Sequence, residues 1–312
     1  MTNFTIGCDP ELFVTKDGVP VTAHNLIPGD KKAPHKVEAG AIQVDGMAVE
    51  FNTNPVPYND FAAFDKNITT VLTELAAAVK ANGPGYKLVP SPTMQFDADY
   101  YATVPEEAKI LGCEPDYCAY SEEPGVPNAR PEGSSGLRSA AGHIHIGWGS
   151  DIPTDHPDHI QVCRSFIRNL DCFVGLAMTV IDTDAKRREL YGAAGAFRPK
   201  SYGVEYRTPS NEWLKGRRRR SFIHGLVVRA IEDMKSGTPM YDKLTKKGID
   251  VRAIINSGDV EQAKDALKTF MSVTVPTFEE AMPGEAKAEA PAPAPVKKPR
   301  AKKATTLFTD EF

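Results

Sequence analysis

Two histidines alternate with two isoleucines in Ala141-Gly142-His143-Ile144-His145-Ile146-Gly147. In an extended strand that spacing projects His143 and His145 from one face and leaves both isoleucines to pack behind them. The same two-faced pattern recurs along the chain. Gly7-Cys8-Asp9-Pro10-Glu11-Leu12-Phe13-Val14 sets Asp9 and Glu11 opposite Cys8, Leu12 and Val14. Gly46-Met47-Ala48-Val49-Glu50-Phe51-Asn52 sets Glu50 and Asn52 opposite Met47, Val49 and Phe51, and Tyr202-Gly203-Val204-Glu205-Tyr206-Arg207 sets Glu205 and Arg207 opposite Val204 and Tyr206.

If these segments converge, Asp9, Glu11, Glu50 and Glu205 must be protonated or neutralised. Same-face neighbours sit roughly 7 Å apart, where two like charges at an effective dielectric of about 20 repel by about 2.4 kcal/mol. Bound cations are the simplest relief. Carboxylates with one or two imidazoles suit Mg2+ or Mn2+, whereas a His-x-His pair alone suits zinc equally well. Pro10, between the two acids of its segment, cannot donate to a ladder and points to a sheet edge or a bulge.

The elements that would position these groups are only partly periodic. After the Glu50 strand, Asn59 or Asp60 can cap a helix whose Phe61, Phe64, Ile68, Val71, Leu72, Leu75 and Val79 share one face, ending at Asn82-Gly83. Residues 155–182 read as a second long helix, a third runs from Ser210-Asn211 to about Met234, and a short one follows Asp259. Residues 18–40 and 112–140 are rich in turn formers and read as loops, the second as a lid or binding loop.

Composition bounds the class. With 312 residues, 41% hydrophobic, the chain can build one large or two modest domains. A net charge of -4 gives no global attraction to nucleic acid. There is no basic leader before an apolar run and no apolar stretch of about 18 residues, so a soluble cytoplasmic protein is expected. Five cysteines without a Cys-x-x-Cys pair indicate reduced thiols rather than a disulfide framework, with Cys8 in the core. From residue 279 the Ala/Pro/Lys-rich composition cannot bury a core, so a disordered tail is expected, ending in Leu307-Phe308-Thr309-Asp310-Glu311-Phe312, a possible protein-docking peptide. Its Lys297-Lys298-Pro299-Arg300-Ala301-Lys302-Lys303 stretch leaves nonspecific nucleic-acid contact open.

Taken in order, an acidic pair after glycine, a glutamate strand, a Gly-His-x-His strand and a closing Val204-Glu205-Tyr206-Arg207-Thr208-Pro209 resemble the catalytic signature of the glutamine synthetase and glutamate-cysteine ligase superfamily. With Tyr191-Gly192-Ala193-Ala194-Gly195-Ala196-Phe197-Arg198-Pro199-Lys200, the chain looks most like the phage-type COOH-NH2 ligases, or amidoligases, over roughly residues 4–235. The resemblance implies an α+β fold, a curved and mainly antiparallel sheet with helices on its outer face, forming a ligase domain over 1–238 with a small helical extension at 239–278. It also implies ATP and two or more Mg2+ or Mn2+ ions, and an amide formed through an acyl phosphate. Glu11 and Glu50 would hold one ion, and Asp9, His143 and Glu205 a second. His145, Arg198, Lys200 and Arg207 would contact the nucleotide, the arginines and Glu205 acting at the transferring phosphoryl group. A third ligand beside Glu11 and Glu50 stays unassigned between Glu38 and Asp45.

Blander readings stand beside these. The histidines can be satisfied sheet residues, the acids a solvated face, and Glu205 with Arg207 a cross-strand ion pair. Arg217-Arg218-Arg219-Arg220 reads first as a solvated helix face or partner patch. Trp148 and Trp213 read as core. A zinc hydrolase built on the His-x-His pair and a non-catalytic binding protein on a ligase fold are the rival functions.

Overall fold

Strand β1 (Thr5–Lys16) is the axis of the architecture, because ladders run along both of its edges. The computed structural model describes residues 3–110, 116–123, 125–128, 136–149 and 151–278, all within the compact unit Met1–Glu280. The tail expected from residue 279, Cys113 and much of the 112–140 loop lie outside the described residues.

The remaining strands are β2 (Val19–Val21), β3 (His35–Val37), β4 (Gly40–Asp45), β5 (Ala48–Thr53), β6 (Val56–Pro57), β7 (Tyr86–Val89), β8 (Thr93–Gln95), β9 (Tyr117–Cys118), β10 (Leu137–Ser139), β11 (Gly142–Gly147), β12 (Ala196–Lys200) and β13 (Gly203–Tyr206). All pair antiparallel. Among the described residues the main sheet has 11 strands, eight along the path β3-β4-β5-β1-β11-β13-β12-β9 and β2, β6 and β7 also on β1, while β8 and β10 make a separate ribbon. The expected antiparallel sheet with helices packed on one face is therefore present.

Period-two alternation explains which face the helices cover. Cys8, Leu12, Val49, Phe51, Ile144, Ile146, Val204 and Tyr206 are buried in one continuous core. Helix α1 (Phe61–Lys80) supplies Phe64, Ile68, Val71, Leu75 and Val79 to it, and the Asp60 carboxylate caps the helix by accepting from the Ala63 N–H. Further helices are α2 (Ala98–Thr103), α3 (Glu106–Lys109), α4 (His159–Leu170), α5 (Leu176–Ile181), α6 (Ala185–Leu190), α7 (Gly216–Lys235), α8 (Met240–Lys246), α9 (Val251–Ser257) and α10 (Val260–Met271). Among the described residues, no helix is long and apolar enough to cross a membrane. A second, smaller apolar cluster joins Phe13 and Met47 to Phe96, Val104, Ala108 and Ala140, bringing α2 and α3 against the end of β1.

Several sequence expectations need correction. The helix expected over 155–182 starts at His159 and is interrupted by a π-helical turn, Asp171–Gly175, which sets the buried Asp171 against the sheet. The helix expected from Ser210-Asn211 to about Met234 begins as a 3-10 turn, Asn211–Leu214, breaks at Lys215, and resumes as α7 from Gly216 (φ 82°) to Lys235. The 18–40 stretch holds β2 and β3 rather than loop alone. Arg217 and Arg218 are exposed, as a solvated face requires, but Arg219 is buried against Glu212 and Arg220 reaches Asp65 of α1, so half of that run ties elements together.

Pro10 is not at an edge, yet its reading as an interruption holds on one side. Glu11 N–H donates to Ala141 O, so by alternation the Pro10 nitrogen faces the β5 side. There the partner of β1 changes from β6 to β5, and Cys8 N–H donates to the Thr53 hydroxyl instead of a backbone carbonyl.

Candidate active site

Register aligns the polar faces of neighbouring strands. Asp9 stands opposite His143, His145 opposite Glu205, Glu205 opposite Arg198, and Glu11 opposite Glu50. Glu50 is in turn opposite Gln43 of β4, whose amide donates to the Glu50 carboxylate at 3.1 Å. All therefore share the face that the core does not use.

At one end, carboxylate oxygens of Glu11, Asp45 and Glu50 all lie within 4.8 Å of one another. Asp45 comes to stand beside Glu11 and Glu50 because β4 and β5 form a hairpin closed at Gly46 (φ 58°), which puts Asp45 two residues along from Gln43 on the same face. Burial, then the charge of Asp45, pushes the Glu11 carboxyl up to about 7, and burial with Asp9, Asp45 and Glu11 raises Glu50 well above the ordinary range. Lys31 offsets part of this charge from 2.8 Å away on Asp45. Glu11 also accepts from the Ala141 N–H at 2.9 Å, tying it to the start of β11.

In the middle, Asp9 Oδ1 is approached by His143 Nδ1 at 3.3 Å and by His145 Nε2 at 2.7 Å. Burial alone would raise the Asp9 carboxyl, but the two histidines outweigh it and hold it well below the carboxylate range. Burial and Arg207 lower the His143 imidazole to about 4, whereas Asp9 raises His145 against the effect of burial.

At the other end Glu205 is fully buried beneath a cationic trio. Arg198 Nη1 donates to both its oxygens at 3.1 Å, Lys200 Nζ lies 2.8 Å from Oε2, and Arg207 Nη1 donates to Oε1. Arg207 Nε also lies 3.5 Å from Asp116. Arg198, Lys200 and Arg207 thus gather around Glu205 and Asp116, and their guanidinium and ammonium donors are of the kind that bind a polyanion such as a phosphate chain.

The donor sets fit divalent cations. Asp9, His145 and Glu205 each offer an atom within 4.8 Å of the others, as do Glu11, Asp45 and Glu50. Asp9 Oδ1 and His145 Nε2 are buried and close, yet neither atom has a hydrogen-bond partner of acceptable geometry, which is how ligands converging on a common ion are disposed. Oxygen-rich sets with a single imidazole match Mg2+ or Mn2+. The structure thus brings together Asp9, Glu11, Glu50, His143, His145, Arg198, Lys200, Glu205 and Arg207, and adds Asp45, Lys31 and Asp116.

Residues 139–245 match the model of the phage phiEco32-like COOH.NH2 ligase-type 2 family, so over that segment the resemblance read from the sequence is borne out. The match takes in His143, His145, Arg198, Lys200, Glu205 and Arg207, while Asp9, Glu11, Asp45 and Glu50 lie before it. No curated protein gives a significant sequence match.

Among solved structures, the chain is similar to a novel glutamine synthase homolog (TM-score 0.44, 8% identity, 86% of this chain and 63% of that one). It is also similar to ligand-free apo GmaS (0.41, 9%, 86% and 64%) and to a bifunctional glutathione synthetase from Pasteurella multocida (0.40, 10%, 86% and 47%). The chain spans less than two thirds of the length of each.

Proposed function

We propose that this chain is an ATP- and divalent-cation-dependent carboxylate-amine ligase that forms an amide through an acyl phosphate and releases ADP. The observation that carries the reading is one sheet face divided between an acidic trio, Glu11, Asp45 and Glu50, and a cationic trio, Arg198, Lys200 and Arg207, with Asp9, the histidines and Glu205 between them. The family match over 139–245 supports it.

In this reading Glu11, Asp45 and Glu50 hold one Mg2+ or Mn2+, and Asp9 and Glu205 hold a second together with an imidazole of the His143 and His145 pair. Such ions, when bound, neutralise phosphate charge beside a substrate carboxylate. The chain's own groups orient and stabilise. Arg198 and Arg207 fork onto the γ-phosphate oxygens, Lys200 adds a point charge, and together they stabilise charge as the phosphoryl group passes from ADP to a carboxylate oxygen. The amine then attacks the acyl carbon and inorganic phosphate leaves.

The test is a mass-spectrometric screen of carboxylates and amines with ATP and Mg2+, scoring ADP and a product lighter by one water than its two precursors. Glu11→Ala and Glu205→Ala are expected to abolish amine-dependent ADP release in folded protein. Full activity of the Glu205 variant would remove the assignment, and tight zinc with no ATP binding would favour the hydrolase.

A further inference from the structure

Both strand histidines face Asp9, but through different ring nitrogens, Nδ1 of His143 and Nε2 of His145. The other nitrogen of each ring meets a tyrosine. His143 Nε2 lies 3.1 Å from the Tyr191 hydroxyl, and His145 Nδ1 is hydrogen-bonded to the Tyr202 hydroxyl. We propose that Tyr191 and Tyr202 are positioning residues, each anchoring the far nitrogen of one histidine so that both rings present their remaining nitrogen to Asp9 Oδ1. The proposal rests on the ligase reading only for the cation toward which the rings are aimed.

The fold builds both anchors. Tyr202 lies in the turn between β12 and β13, its carbonyl accepts from the Trp148 N–H at 2.8 Å, and this pins the turn to the end of β11. Gly203 follows with φ 156°, and a Cβ there would collide with Ile146 O, so the turn approaches β11 as closely as backbone permits. The Tyr202 ring lies near-parallel to His145, with centroids 5.9 Å apart and planes 27° apart.

Tyr191 is fixed from the opposite side of the site. Its N–H donates to Arg187 O at 2.6 Å, and Gly192 (φ 81°) turns the chain over the buried Arg187 guanidinium, which a side chain at 192 would strike. The Tyr191 ring also carries Arg207, whose guanidinium carbon lies 5.1 Å from the centroid. One phenol thus touches both a histidine and a candidate phosphate-binding arginine.

Replacing tyrosine by phenylalanine keeps the ring and removes only the hydroxyl, so the full-length Tyr191→Phe and Tyr202→Phe proteins separate anchoring from packing. The first readout is the ring 15N spectrum of the histidines without added metal. Tyr202→Phe is expected to move the His145 signals and spare His143, and Tyr191→Phe to do the reverse. The second is Mn2+ binding by electron paramagnetic resonance, which each variant is expected to weaken by about ten- to a hundredfold with circular dichroism unchanged. Histidine signals indifferent to both substitutions, or unaltered Mn2+ affinity in both variants of a protein that binds Mn2+, would overturn the proposal. Signals that respond in a protein that binds no Mn2+ would uphold the anchoring and overturn the ligase reading instead.

Discussion

Glu11 and Glu50 stand directly opposite one another across β1 and β5, two half-buried acids at the closest spacing a sheet allows. Because burial and Asp45 push Glu11 up to about 7 from its ordinary value, the folded chain holds that proton more tightly than the unfolded chain. The stability tied to it is whole below the unfolded value and is lost as pH rises through the folded one, a swing on the order of 3 kcal/mol. Asp9 acts in the opposite sense and only in acid, since its carboxyl is held low. His143, held down to about 4, opposes this below about pH 6.5, so the expected signature is differential: with chelator present, the parent's melting temperature is expected to fall relative to that of Glu11→Gln between about pH 5 and pH 8. An identical slope in parent and variant would show that Glu11 is not responsible; saturating Mg2+ is expected to shrink the difference.

Arg187 is a buried cation that donates to Ala140 O at 3.2 Å, Thr208 O at 2.8 Å and Pro209 O at 2.7 Å. It thereby joins the residues just before the histidine strand to those just after the glutamate-arginine strand. Arg187→Met leaves three buried carbonyls short of a donor and is expected to cost about 3–5 kcal/mol in urea unfolding. Arg187→Lys restores the charge but not the fork, and is expected to recover less than half of the loss.

The arginine run makes a separate, structural prediction. Asp65 receives Arg220 Nε at 2.6 Å and Arg217 Nε at 3.0 Å, but Arg217 is half exposed whereas Arg220 is nearly buried. Arg220→Ala is expected to lower stability by roughly 1.5–3 kcal/mol and Arg217→Ala by under about 1 kcal/mol, in chemical denaturation. Equal losses would mean that exposure does not govern these pairs.

Gly142 opens the histidine strand beneath the 3-10 turn. A Cβ there would collide with Ser210 O and crowd Trp213 Nε1, which donates to Gly142 O at 2.9 Å. Gly142→Ala is therefore expected to destabilise by about 1–3 kcal/mol and to lower Mn2+ affinity, because His143 is the next residue. A variant as stable as the parent would show that the turn yields freely.

Alternation was enough to read the faces in the sequence. His143 with His145 and Asp9 with Glu11 need only a local period of two, and their partners follow once the strands pair. What pairing decides could not be seen so easily. Asp45 became a neighbour of Glu11 only through the β4–β5 hairpin, although Asp45-Gly46 ahead of an alternating strand is a usable turn signal. Tyr191 lies outside any strand period and Tyr202 just before β13, and their approach to the histidines depends on the backbone at Gly192 and Gly203 and on the buried Arg187. The break before Gly216 was hidden because the apolar spacing continues through it, so a single helix fitted the pattern equally well.

The side-chain amide of Asn211 donates to the carbonyl of Glu11 across 200 residues of chain, and β11 pairs with β1 from Thr5 opposite Gly147 to Pro10 opposite Gly142, also far apart in sequence. Loops of that length close late on a folding pathway, after local helices such as α1 and hairpins such as β4–β5 have formed. The candidate site is then expected to be unformed in the transition state. A cation bound there is expected to slow unfolding and leave the refolding rate unchanged, so that its kinetic signature would be longevity of the native chain rather than haste in reaching it.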